Sequence, residues 1–131
     1  MKKLLASLAL ASMVAAPALA HRDTPDVQLQ KLLAGRVAGK PVSCLPFSQA
    51  NDSRVINGKA IVYKFGGTLY VNQPRSGAED LNDDNIIVTR QFGSQLCDVD
   101  SVHLIDRSTG FPRGFIILDK FVPYTKPKPS S

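Results

Sequence analysis

Several common signatures are missing from this 131-residue sequence. Neither of its two cysteines, Cys44 and Cys97, has a CxxC partner, which argues against a zinc ribbon or a dithiol redox site. No G-x-S-x-G arrangement is present, and Ser94 has no evident base beside it, so a serine hydrolase is not indicated. Basic residues are dispersed among acidic ones, which argues against nucleic-acid binding. No catalytic or cofactor signature is therefore recognisable.

Long apolar runs are confined to the start of the chain. The sequence begins with Lys2 and Lys3, continues with an apolar stretch over 4–14 and reaches a small-x-small pattern at 18–20, which is typical of a secretory signal peptide. Pro17 interrupts this run before it reaches the roughly 20 apolar residues of a membrane span. We therefore predict export to the periplasm or the medium, with cleavage after residue 20 and no transmembrane segment in the remainder.

Cleavage would leave a chain long enough for one small domain. The 16 Lys and Arg residues less Lys2 and Lys3 leave 14 basic against 11 acidic side chains, a net charge of +3. Such a small excess gives no reason to expect nucleic acid as a partner. We predict a signal peptide at 1–20, an arm with a short helix and a connector at 21–40, a β-domain at 41–125 and a disordered tail at 126–131.

The cysteines have a simple interpretation in an exported chain. Thiols that reach an oxidising compartment pair by default, so we expect a disulfide between Cys44 and Cys97. The bond would close a long loop and stabilise the fold by roughly 4 kcal/mol on the chain-entropy view. A metal-binding or redox-active thiol is the alternative.

The stretch 54–72 predicts three antiparallel strands. Asn57-Gly58 and Gly66-Gly67 supply the positive φ angles that two-residue hairpin turns require. Two-residue loops would place Ile56 opposite Lys59, and Tyr63 opposite Tyr70.

This register gives the ribbon two apolar faces. One holds small aliphatic side chains suited to the inside of a narrow barrel: Val55, Ala60, Val62, Leu69 and Val71. The other is more aromatic and is covered either by another segment or by a ligand or partner protein. Aromatic residues beside an arginine are typical of interfaces. The candidate binding residues are Arg54, Tyr63, Phe65, Tyr70 and Asn72.

The flanking segments predict one helix and further strands. Thr24-Pro25 forms a helix start, and Gly35 forms a helix stop. Strands are expected at 41–46, 85–92, 101–106 and 114–118, with a polar loop at 73–85 that has one helical turn at 78–81, and 121–124 closes the domain. The predicted fold class is mainly β: a small antiparallel barrel or two-sheet sandwich of six or seven short strands with one short N-terminal helix.

A calcium loop is suggested by the spacing of Asp80, Asn82 and Asp84, because oxygen ligands alternate in such loops. Asn85 and Gln91 stand where the loop would need glycine and a bidentate glutamate, so only part of the pattern is present.

A copper site is suggested by the two histidines. Cleavage after residue 20 would make His21 the N-terminus, where its amine and imidazole could chelate copper with His103 as a third nitrogen ligand. His103 also fits a packed or surface position in a strand.

Four short motifs carry a family resemblance. Cys44, Tyr70-Val71-Asn72, Leu96-Cys97-x-x-Asp100 and Phe121-x-Pro123-Tyr124, taken in this order, resemble a family of small exported proteobacterial proteins known as a domain of unknown function. The similarity spans about 44–124. It implies a Gram-negative envelope or periplasmic setting, supplies no activity, and adds support to the disulfide.

We therefore expect an exported, non-catalytic β-domain that binds a protein or another envelope component, without a cofactor. The alternative is a periplasmic protein that binds copper or calcium. The sequence leaves the oligomeric state open.

Overall fold

The computed structural model describes residues 11–15, 22–46, 52–90 and 93–129. Within these ranges the chain is mainly β, with one α-helix and ten strands. The helix α1 is Pro25–Leu32. The strands are β1 Val37–Ala38, β2 Cys44–Pro46, β3 Ser53–Ile56, β4 Ala60–Phe65, β5 Thr68–Asn72, β6 Asn85–Thr89, β7 Gln95–Cys97, β8 Ser101–Asp106, β9 Pro112–Ile117 and β10 Phe121–Thr125. A 3-10 turn lies at Ala78–Asp80.

The strands form three antiparallel sheets. The central sheet has the order β1-β10-β5-β4-β3, the outer sheet has the order β6-β8-β9, and β2 pairs with β7. The predicted sandwich is confirmed and the barrel alternative is wrong, because no ladder in the described residues joins β3 to β6 and closes the sheets. There are more strands than six or seven, since β1 and β7 are too short for alternation to mark them.

Helix α1 forms as predicted. Thr24 is the N-cap, and its Oγ1 accepts a hydrogen bond from the backbone N–H of Val27 at 3.4 Å, with Pro25 at the first helical position. The helix buries Leu29 against the central sheet.

The two turns of the central ribbon differ from each other. The second follows the prediction, with Tyr63 opposite Tyr70. The first was predicted wrongly by one residue, because Ile56 lies opposite Ala60. A type I′ turn needs positive φ at both central positions, and only Gly58 adopts it (φ 69°) among the residues at this turn.

That one-residue shift reverses the side chains of β3. Val55 faces the same way as Ile61 and packs against the core between the sheets, whereas Ile56 joins Ala60 on the other face. The predicted membership of the two faces was therefore wrong for this strand.

Both faces of the central ribbon are buried. The aliphatic face does not line a barrel, because α1 covers it; this cluster holds Leu29, Ile56, Ala60, Val62, Leu69 and Val71. The aromatic face is covered by other segments of the same chain. That second cluster holds Leu45, Ile61, Tyr63, Leu81, Leu96, Val102, Leu104, Ile116, Leu118 and Phe121.

The predicted disulfide is confirmed. Cys44 on β2 lies directly opposite Cys97 on β7, and their sulfur atoms are bonded. Residues 95–97, for which the sequence predicts no strand, form the short strand β7. The adjacent pair Leu45 and Leu96 is buried in the core between the sheets.

Replacement of both cysteines by serine should lower the free energy of unfolding by roughly 4 kcal/mol, since the bond spans 53 residues of sequence and restricts the unfolded chain. Urea unfolding of the oxidised protein and of the double variant measures the difference. A loss below about 1 kcal/mol would show that the bond contributes little to this fold.

Candidate functional site

The predicted binding residues do not form one surface. Tyr63 lies inside the protein, 3% exposed, with its ring edge-on to Phe121 at a centroid distance of 5.8 Å. Phe65 and Tyr70 are half-buried and form their own edge-on pair at 6.1 Å. Arg54 is exposed but shares its face with Val62 because of the shifted register. Phe65 and Tyr70 are brought together, and Tyr70 also lies opposite the buried Tyr63.

Asn72 has a structural position. Its side chain is fully buried, its Nδ2 donates to the carbonyl of Asp119 at 2.6 Å, and its Oδ1 accepts from the N–H of Asp119 at 3.1 Å. This paired bond holds the chain where it enters β10, so the amide polarity of Asn72 is used within the fold.

The hydroxyl of Tyr63 is buried without a hydrogen-bond partner among the described residues. Burial raises the pKa of Tyr63, so the group stays neutral. An unsatisfied buried hydroxyl costs free energy, whereas the ring contributes packing.

Tyr63→Phe should therefore raise the free energy of unfolding by about 1 kcal/mol, because it removes the unsatisfied group and keeps the ring. Tyr70→Phe, at a half-buried position, is the matched control and should change stability by less than about 0.5 kcal/mol. Chemical denaturation measures both. A less stable Tyr63→Phe variant would show that the hydroxyl has a partner.

Of the two candidate copper ligands, the structure describes only His103. His21 falls outside the described residues, and His103 is exposed on β8 with its ring 6.3 Å from that of Phe115. Within the described ranges, no three His, Cys, Asp or Glu side chains are grouped so that they could hold a metal ion. The copper site stays a prediction.

The calcium-loop residues line one hollow of about 420 Å³ beside Asp106 and Arg113. Asn82 uses its Oδ1 to accept the N–H of Asp84 at 2.8 Å, which is an Asx turn. Asp80 is the last residue of the 3-10 turn, which Gly77 precedes. The calcium loop also stays a prediction.

Asp106 fixes the turn between β8 and β9. Its Oδ1 accepts the N–H groups of Ser108 at 2.8 Å and Thr109 at 2.9 Å, and its Oδ2 pairs with Arg113 at 2.9 Å. The backbone bond from Thr109, then the bond from Arg113, lowers the pKa of Asp106 to about 2. The carboxylate thereby holds residues 108 and 109 in the turn.

The pKa of Asp106 is depressed relative to the unfolded value, so its contribution to stability is complete above about pH 4 and is lost as the pH falls towards about 2. Carboxyl NMR titration should give a midpoint near 2. Arg113→Gln should raise that midpoint while leaving it below the ordinary value of 3.8, because the larger cause is the Thr109 N–H. A midpoint at the ordinary value in the wild type would contradict this turn geometry.

The outer sheet presents an apolar surface on the side away from the core. Alternation turns Val102, Leu104 and Ile116 inward, and turns the intervening residues outward. Phe115 is 56% exposed and Ile86 is 44% exposed. We call this surface the outer face; its residues are Ile86, Val88, His103, Ile105, Phe115 and Ile117.

Cross-strand registers hold the outer face together. Val88, His103 and Phe115 lie directly opposite one another across the three strands, and Ile86 lies opposite Ile105. Side chains at such positions are about 5 Å apart, so they form one patch. Phe111, 69% exposed in the adjoining turn, extends its apolar character.

Sequence reasoning missed the outer face, although a signal was present. The segments 85–89 and 114–117 carry apolar residues at both odd and even positions, where a half-exposed strand would alternate apolar with polar. When a sheet packs on the core with one side only, the apolar residues on its other side remain at the surface.

A groove of about 570 Å³ borders the outer face. It runs between β3 and β6, which are edge strands of the two sheets. Its lining residues are Gln28, Ser53, Arg54, Val55, Asp83, Asn85, Ile86, Ile87 and Arg107. The groove therefore contains two guanidinium groups and one carboxylate beside exposed strand edges.

These features define a mainly-β, sandwich-like domain that is braced by a disulfide and exposes an apolar sheet face. Comparison with protein families, curated proteins and solved structures found no match to this chain. The resemblance to the exported proteobacterial family stays a prediction. In the described part of the chain, no helix has the length and apolar character to cross a membrane.

Proposed function

We propose that this protein is an exported, non-catalytic binding domain that recognises a protein or another component of the cell envelope through its outer face. The disulfide supports export, because such bonds persist in oxidising compartments. The observation that carries the binding role is the exposure of Phe115 and Ile86 on paired strands.

An exposed phenylalanine on a strand favours a protein partner over a small molecule. Ligand pockets are concave and enclose most of a small ligand, whereas the outer face is a sheet surface. Large apolar side chains that gather on such a surface mark sites of macromolecular contact. Aromatic side chains at the centre of a contact contribute much of its binding energy.

Composition of the outer face also fits an interface. The patch has an apolar centre at Phe115 and carries one titratable group, His103, whose ring lies beside that phenylalanine. Arg107 and Arg113 are exposed in the turn and strand at its end. An apolar centre with a polar rim is the usual anatomy of a protein interface.

Phe115→Ser combined with Ile86→Ser should reduce capture of an envelope partner at least tenfold, since it removes two exposed anchors without touching the core. The measurement is quantitative mass spectrometry of material retained from an envelope extract by the immobilised oxidised protein. Thermal unfolding of the variant shows whether the fold is retained.

Val99→Ser is the matched control, because Val99 is 79% exposed in the turn between β7 and β8, outside the outer face. It should retain the same partner as the wild type. Equal capture by the wild type and by the Phe115 and Ile86 variant would overturn the proposed site.

A further inference from the structure

The outer sheet has two edge strands, and among the described residues only the β9 edge is covered by another segment. Along β9, the N–H of Arg75 donates to the carbonyl of Ile117 at 3.0 Å, and Ser76 accepts the N–H of Ile117 at 3.0 Å. Gly77 then lies so close to β9 that an added Cβ would be 2.5 Å from the carbonyl oxygen of Phe115. This segment closes the β9 edge.

The β6 edge carries unused backbone groups. Asn85 lies opposite Asp106, yet the N–H of Asn85 donates to Asn82 and the N–H of Asp106 donates to Phe111, so this pair is not hydrogen-bonded across the ladder. Alternation then turns the N–H and C=O groups of Ile87 and Thr89 away from β8. No other described residue bonds them there.

The opposite wall of the groove is β3, whose outer edge pairs with no other described strand. Lys64 donates its N–H to the carbonyl of Asp52, which places the bonded positions of β3 at even numbers. The backbone groups of Ser53 and Val55 therefore point away from β4. Both walls thus offer donors and acceptors at the spacing of an extended chain.

Charge in the groove favours an acidic occupant. Arg54 and Arg107 both line it, and neither forms an ion pair with another described residue. The one carboxylate of the lining, Asp83, already accepts the Nδ2 of Asn57 at 3.4 Å. A carboxylate that enters the groove would therefore meet a net positive lining.

We propose that the groove between β3 and β6 binds an extended peptide segment with an acidic side chain, which joins the outer sheet as an added strand along β6. This inference rests on the proposed binding function and names the chemistry of the partner. Backbone bonds to Ile87 and Thr89 supply affinity, and Arg54 and Arg107 select the carboxylate. The added strand continues the outer face, because Ile86 borders both surfaces.

The test starts from a phage-displayed library of random peptides, about twelve residues long, selected on the oxidised protein. The enriched peptides should carry Asp or Glu among alternating apolar residues. For one synthetic enriched peptide, Arg54→Gln and Arg107→Gln should each weaken the Kd about tenfold, the size expected for a bond between charged groups. Replacing the peptide carboxylate by its amide should remove that dependence.

Lys128→Gln is the charge-matched control, because Lys128 lies in the exposed tail; the Kd should not change. N-methylation along the peptide should abolish binding at alternate positions only, as an added strand requires. Thermal unfolding confirms that each variant is folded.

Three results would overturn the proposal. The library could show no peptide enrichment above an unrelated immobilised protein, the Kd of acidic peptides could stay unchanged in both arginine variants, or N-methylation of the peptide could leave binding unchanged. Envelope capture that still depends on Phe115 would then show that the groove inference alone fails. Loss of that dependence as well would show that the binding function fails too.

Discussion

The central ribbon of β4 and β5 has apolar side chains on both faces, and water must be excluded from both at once. Four consecutive residues of β4, Ala60–Tyr63, are buried, which alternation permits only for a strand inside a layered structure. One face needs helix α1 and the other needs the outer sheet. The short helix is therefore part of the fold. Without its residue Leu29, the side chains of Ile56 and Val62 would be uncovered.

The need to exclude water from the ribbon explains why the outer sheet packs on it, but it does not determine which residues lie on the opposite side of that sheet. The inward side chains Val102, Leu104 and Ile116 cover one face of the ribbon. The residues that alternate with them point outward and are not needed for this packing. Phe115 and Ile86 are exposed apolar residues on that side, which is why we propose a binding role for it. The β6 edge belongs to the same sheet, so the proposed binding surface and the proposed peptide groove adjoin each other.

Local signals predicted what local chemistry decides. Thr24 and Pro25 fixed the helix start, and the Gly66-Gly67 turn fixed the pairing of Tyr63 with Tyr70. The prediction for the Asn57-Gly58 turn was wrong because the loop length depends on the φ angle of the asparagine. The dipeptide sequence does not determine that angle.

Coverage by distant segments could not be predicted in the same way. Tyr63 and Phe115 are both aromatic residues in strands, and only the packing of the sheets makes one core and the other surface. Strand β1 shows the same limit, because its two residues gain their partner from β10, far along the chain. The sequence therefore predicted the candidate site on the ribbon, although Tyr63 of that ribbon is buried.

The sulfur bond has a further consequence for where a folded molecule accumulates. Without it, β2 and β7 are joined by three residue pairs, and each opening of that short ladder would expose Leu45 and Leu96. A copy retained among reducing thiols would then present an apolar target to chaperones and proteases. Oxidation of the two thiols would therefore decide how long a folded copy persists.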